Sequence, residues 1–152
     1  MITRRSALSM FIATPALIGL SRPAFAASPP VYQEDGIAID GSDPVAYFAG
    51  NGPVAGARDI TLDWRGATWR FASDENRDRF LADPIRFAPQ YGGYCAYAAA
   101  KGYVASTVPK AWTLYEDRLY LNYSKGVRRT WQKDIPGYIA KAEANWPAVL
   151  ES

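Results

Sequence analysis

The chain has 152 residues, with 17 Lys and Arg against 15 Asp and Glu, one cysteine and no histidine. A single cysteine excludes an internal disulfide, and the lack of histidine removes imidazole from both catalysis and metal binding. The formal charge of +2 arises in residues 1–26, where Arg4, Arg5 and Arg22 have no acidic neighbour. Residues 27–152 hold 14 basic against 15 acidic groups, net −1, so the basic footprint of a nucleic-acid binder is missing.

Residues 1–26 have the three-part layout of a secretory signal: a charged start, an apolar run from Ala7 to Leu20, and the small-residue end "AFA". The run is shorter than the roughly 20 residues a bilayer requires, so no stable membrane span is expected once the signal is removed. Cleavage is expected before Ala27, and both methionines leave with the signal. "TRRSAL" matches part of a twin-arginine signal through Arg4, Arg5 and Leu8, with Ala7 where a bulky apolar residue is usual. A Sec signal with two arginines is the alternative. Either route predicts a periplasmic or otherwise exported protein. Residues 27–35 read as a flexible arm and 36–152 as one domain.

In chain order the pattern predicts a mixed fold. "GIAID" (36–40) is a short strand. "SDPVAYF" (42–48) opens with Ser42 or Asp43 as a cap and Pro44 in the first turn, a helix start. "DITLDWRGATWRFAS" (59–73) alternates about Arg65-Gly66, with Ile60, Leu62 and Trp64 before the turn and Trp69 and Phe71 after it, which is a hairpin. "SDENRDRFLAD" (73–83) is a helix capped by Ser73, with acids in its first turn and Phe80 and Leu81 on one face. Pro84 starts a short helix, "PIRFAPQY". "GGYCAYAAAKG" (92–102) is a helix opened by two glycines and closed by Gly102. "AWTLYEDRLYLNYS" (111–124) is a second hairpin turning at Glu116-Asp117. The last stretch, 125–150, holds two helices separated near Pro136, with Trp131, Ile139 and Trp146 inward. Hairpins separated by helices define the α+β class: a small domain whose two hairpins form an antiparallel sheet, closed by C-terminal helices.

"DGSDPVAYF" (40–48), "GATWRFASDENRDRFLADPIRFAPQYGGYCAYA" (66–98), "LYLNYSKGVRRTW" (119–131) and "ANWP" (144–147) together resemble an exported YHS-domain protein. The resemblance runs from about Gly36 to Leu150. It implies kinship with small metal-binding modules attached to heavy-metal transporters. Those modules place thiols after "DPV", within a Phe-Cys-Ser step, and at the start of the next helix. The matching positions here are Ala46, Ala72 and Asn76, while Ala82, Asp83, Pro84 and Phe87 keep the family's pattern. The resemblance therefore implies an inherited scaffold without its metal ligands.

Cys95 is the sole candidate metal ligand of soft character, and one thiolate builds neither a closed zinc site nor a two-sulfur copper site within a monomer. Only a dimer sharing Cys95 would supply two sulfurs. As a nucleophile Cys95 has no histidine to activate it, and free cysteine is among the most buried residue types; packing is the expected role. Gly92-Gly93 would expose N–H groups to an anion or allow a sharp turn. Tyr91, Tyr94 and Tyr97 recur every three residues and are candidates, with Trp69 and Trp112, to line an aromatic ligand pocket. Asp43 is a further candidate, and capping duty explains it and Asp40 as well. The expected function is a non-enzymatic accessory or binding module of the cell envelope without a cofactor, recognising a small molecule or an envelope protein. The alternatives are metal handling through Cys95 across a dimer, and thiol-dependent redox chemistry at Cys95.

Overall fold

The computed structural model describes residues 26–152, so the signal expected over residues 1–26 lies, but for Ala26, outside the described residues. The fold is α+β. Its larger sheet holds β1 (Gln33–Glu34), β2 (Ile37–Ala38), β3 (Ala57–Trp64) and β4 (Ala67–Phe71), in the order β1-β2-β4-β3. The β3–β4 hairpin turns at Arg65 (φ 50°) and Gly66 (φ 77°). Two successive positive φ angles match the twist of paired strands. Leu62 faces Trp69 and Trp64 faces Ala67 across this ladder.

Strand β4 alternates, so Ala67, Trp69 and Phe71 all point into the core. Helix α1 (Asp74–Ala82) lies over that face and contributes Phe80. It starts at Ser73 because the Ser73 hydroxyl accepts the Asn76 N–H at 3.1 Å, and Asp74 and Glu75 complement the helix dipole. The Phe80 ring centre lies 5.4, 5.2 and 5.3 Å from those of Trp64, Trp69 and Phe71. Contacts of this kind stabilise beyond the area they bury.

The second hairpin, β5 (Trp112–Tyr115) and β6 (Arg118–Leu121), turns at Glu116 and Asp117, both at positive φ. It forms a two-stranded sheet of its own. The two hairpins thus belong to separate sheets, and the larger sheet is mixed, since β2 runs parallel to β4 with Ile37 opposite Thr68. Short helix α2 (Pro84–Phe87) follows α1. Helices α3 (Ala96–Lys101), α4 (Lys125–Trp131) and α5 (Ile135–Asn145) form the other half. Gly102 (φ 91°) ends α3, and Pro136 sits in the first turn of α5. Ala96, Ala99 and Ala100 share a buried cluster with Ala142 of α5 and the large rings of Tyr91, Tyr120 and Trp131. The small side chains let α3 and α5 approach closely.

Three expectations are corrected. Residues 27–35 are packed into the fold instead of standing off as an arm: Val31 and Tyr32 are buried, Ser28 N–H donates to Leu150 O, and Tyr32 N–H donates to Gly92 O. Burial of two large apolar side chains outweighs the polar composition of the segment. "SDPVAYF" forms no α-helix but a single 3-10 turn over Ala46–Ala49, halted by Gly50 (φ 80°). The helix expected from Gly92 begins only at Ala96, because Tyr91, Gly92 and Gly93 all have positive φ. A Cβ on Gly92 would overlap the Pro30 carbonyl. The glycine is there so that the N-terminal segment can cross over the turn.

Candidate functional site

Asp43 is fully buried. Its Oδ1 accepts the N–H groups of Val45 (2.8 Å) and Ala46 (3.2 Å). Its Oδ2 accepts the Ala72 N–H and the Asn76 Nδ2, each at 2.8 Å. Asp43 thereby caps the 3-10 turn, as a capping residue should, and also ties that turn to the β4–α1 junction across 29 to 33 residues of sequence. A carboxylate has about four lone-pair sites, and all are engaged here. Ala46, Ala72 and Asn76 are the positions equated with thiols through the resemblance to YHS domains. They meet around this carboxylate and line one cavity of about 300 Å³. The donor set does not fit a soft metal: it offers two methyl groups, one carboxamide already spent as a donor, and a saturated carboxylate. Among the described residues no three His, Cys, Asp or Glu side chains converge to hold an ion.

Beside Asp43, the Tyr47 hydroxyl donates to Ser42 Oγ (3.0 Å), and the Ser42 hydroxyl donates to Ile39 O (2.9 Å). Burial pushes the Tyr47 hydroxyl up to about 12. This is a closed chain of donors and acceptors in the core, built for stability.

A second cavity, of about 260 Å³, opens between the β3–β4 hairpin tip, the turn after α2 and the end of α5. Trp64, Arg65, Trp69, Tyr91, Glu143 and Trp146 line it. Trp64 and Trp69 meet edge to face with ring centres 5.8 Å apart, and Tyr91 and Trp146 do so at 5.9 Å. The Arg65 guanidinium lies 4.5 Å over the Trp64 ring. Tyr91 holds φ 56°, an uncommon conformation for a bulky residue, and its ring stands between Trp146 and Tyr120. Burial, then the neighbouring Tyr120 and Glu143, pushes its hydroxyl well above the usual tyrosine range.

Of the six residues nominated for a ligand site, Trp69 and Tyr91 meet in this cavity. The others lie elsewhere. Tyr94 is buried between Tyr32 and Trp146, and its hydroxyl donates to Pro29 O at 2.9 Å. Tyr97 packs on Tyr138 of α5 at 5.3 Å. Trp112 packs on Tyr47 at 5.8 Å, beneath the guanidinium of Arg128. Asp43 caps its turn. A three-residue spacing puts side chains on one face only in a helix, and the left-handed turn at 91–93 breaks that geometry. Arg65 and Glu143 escaped the sequence reading. The "WRG" hairpin tip carried a hint of Arg65, but nothing local marks Glu143.

Cys95 is 1 % exposed and lies at the wall of a mostly apolar cavity of about 240 Å³. Its Sγ accepts the Tyr123 N–H at 3.3 Å and lies 3.5 Å from Asn122 Oδ1. Burial pushes the thiol up, partly offset by the N–H groups of Ala98, Tyr123 and Tyr97. Asn122 is fully buried; its Oδ1 accepts the Tyr97 N–H at 3.1 Å, and its Nδ2 has no partner among the described residues.

No family matches the chain, nor does any curated protein or solved structure. The functional reading therefore rests on the geometry of these sites.

Proposed function

We propose that the protein is an exported, non-enzymatic binding module of the cell envelope, built on a YHS-like scaffold whose metal-binding role has been given up. The observation that carries this reading is the cavity beneath the β3–β4 hairpin tip, lined by two edge-to-face ring pairs and by Arg65 and Glu143, a space sized for one small ligand. Small-molecule sites are concave and combine apolar walls with a few placed polar groups; here the aromatic walls share the lining with Arg65, Gln90 and Glu143. The saturated carboxylate of Asp43 argues against metal handling at the positions where the resembled modules hold thiols.

Native mass spectrometry of protein taken from its own compartment tests the reading. A small-molecule adduct that is lost in an Ile85→Trp variant is expected, since Ile85 is exposed at the rim of this cavity. An adduct indifferent to that change, or none at all, would overturn it. Export is tested by replacing Arg4 and Arg5 with lysine: the twin-arginine route predicts blocked processing, and normal processing leaves the Sec route.

A second reading, a thiol-dependent redox protein, is favoured by the N–H groups around Cys95 Sγ and the cavity beside it. The burial that raises the thiol's pKa opposes it, because the thiolate is the reactive form. Metal handling across a dimer is weaker still, as a cysteine 1 % exposed does not reach a partner's sulfur.

A further inference from the structure

The cavity beside Cys95 differs in chemistry from the one under the hairpin tip. Its walls come from α3, the loop after it, the segment after β6 and α4, and include Tyr97, Tyr103, Ala105, Tyr123 and Val127. The polar groups around it are already paired. Cys95 N–H donates to Ala105 O at 3.0 Å, Tyr103 N–H to Ala98 O at 3.1 Å, and Tyr97 N–H to Asn122 Oδ1 at 3.1 Å. Cys95 Sγ accepts the Tyr123 N–H at 3.3 Å. An occupant therefore meets methyl groups, rings and a sulfur that is already bonded, so its inner part must be apolar. Tyr103 and Tyr123 are both half exposed, which puts the solvent side of the cavity by them.

Unpaired positive charge adjoins this space. Lys101 Nζ lies 5.4 Å from the centre of the Tyr97 ring, a cavity wall, and 5.9 Å from that of Tyr138. Lys141 Nζ lies 5.8 Å from the same Tyr138 ring. Neither lysine forms an ion pair among the described residues. All the wall residues fall within the stretches 84–115 and 118–133, and neither stretch contains Asp or Glu. Of the acids in α5 and just before it, Asp134 caps the Gly137 N–H and Glu143 lines the other cavity.

We propose that this cavity holds the alkyl chain of a small amphiphilic anion: an alkyl carboxylate of short to medium length, its chain between Tyr103, Tyr123 and Val127 and its head beside Lys101. Removing the chain from water drives binding. The head-group charge is set by the lysines: an alkyl cation would bring like charge against them, whereas a carboxylate complements them. At about 240 Å³ the space is below the usual range for drug-sized ligands, which keeps the chain short. This site is separate from the hairpin-tip cavity and does not depend on how that cavity is read.

Titrations followed by the amide and methyl NMR signals of the protein test the proposal with four probes: octanoate, butyrate, octylammonium and octan-1-ol. Octanoate should shift the Tyr123 and Val127 signals saturably and bind at least about tenfold more tightly than butyrate. It should bind at least about threefold more tightly than octylammonium, and that gap should narrow in high salt. Nuclear Overhauser contacts from the octanoate terminal methyl should reach the Val127 methyls. Lys101→Gln, at an exposed position, should weaken octanoate about threefold and leave octan-1-ol unchanged. Equal binding of butyrate and octanoate, preference for octylammonium, or no saturable response to octanoate would overturn the proposal. Contacts from octanoate to Trp64 and Trp146 in place of Val127 would also overturn it, by moving the chain to the other cavity. Sedimentation with phosphatidylglycerol vesicles without any binding of octanoate would overturn it in favour of a membrane surface.

Discussion

Asp43 shows how one side chain can join distant parts of a chain. Four donors meet its carboxylate, three of them backbone N–H groups that have no substitute partner if it is removed. Each buried donor left unpaired costs about 1–3 kcal/mol. Asp43→Ala should therefore cost at least about 3 kcal/mol in denaturant unfolding. A loss below about 1 kcal/mol would mean that water replaces the carboxylate and that it is no keystone. Tyr47 supports a pH prediction. Its hydroxyl titrates near 10.0 in the unfolded chain and about 12 in the folded one. The folded state thus holds the proton longer, so its contribution is complete below pH 10.0 and is lost as pH rises through about 12. Between those limits stability should fall by up to about 1.4 kcal/mol per pH unit from this group alone. Tyr47→Phe should flatten the alkaline slope by that amount, and an unchanged slope would contradict the assignment.

At the scale of elements, the Phe80 cluster and the Gly92 crossing make separate predictions. Phe80 is the one buried residue of α1, and its ring meets three others. Phe80→Ala should cost about 3–5 kcal/mol in thermal or chemical unfolding. A melting temperature within a degree or two of wild type would show that α1 is held by other contacts. Gly92→Ala acts on another element. The added Cβ meets the Pro30 backbone, and the residue keeps a positive φ. Residues 28–32 should be released from the turn while the remainder stays folded. Limited proteolysis would then cut before Gln33 in the variant and leave the wild type intact; equal resistance would refute the crossing as a constraint.

For the whole molecule, the two buried clusters share Trp146, which packs against both. Opening one should disturb the other, so unfolding should be cooperative. Cys95 reports on this. It is buried and its thiol is pushed up by burial, so native labelling by a thiol reagent should be slow and should accelerate with denaturant in step with global unfolding. Native labelling at the rate of a free thiolate would instead favour the redox reading. Cys95→Ser should be milder than Cys95→Ala, because a serine hydroxyl keeps both the Tyr123 N–H and Asn122 Oδ1 within reach.

Local chemistry by itself determined much of this protein. The Arg65-Gly66 and Glu116-Asp117 turns, the Ser73 cap, the Gly102 stop and the inward set Trp69, Phe71 and Phe80 are all readable, because each depends on residues a few positions apart. Asp43 was legible as a cap for the same reason. Tertiary structure alone decided that its second oxygen reaches Ala72 and Asn76, that the hairpins separate into two sheets, and that the N-terminal segment crosses Gly92. It also decided which aromatic residues share a cavity. Tyr91 joins Trp69 there, whereas Tyr94 and Tyr97 do not, because three successive positive φ angles turn the chain out of helical register. Arg65 and Glu143 stand 78 positions apart in the chain. No periodicity or turn signal relates residues at that distance; only the tertiary fold brings both to the lining of one cavity.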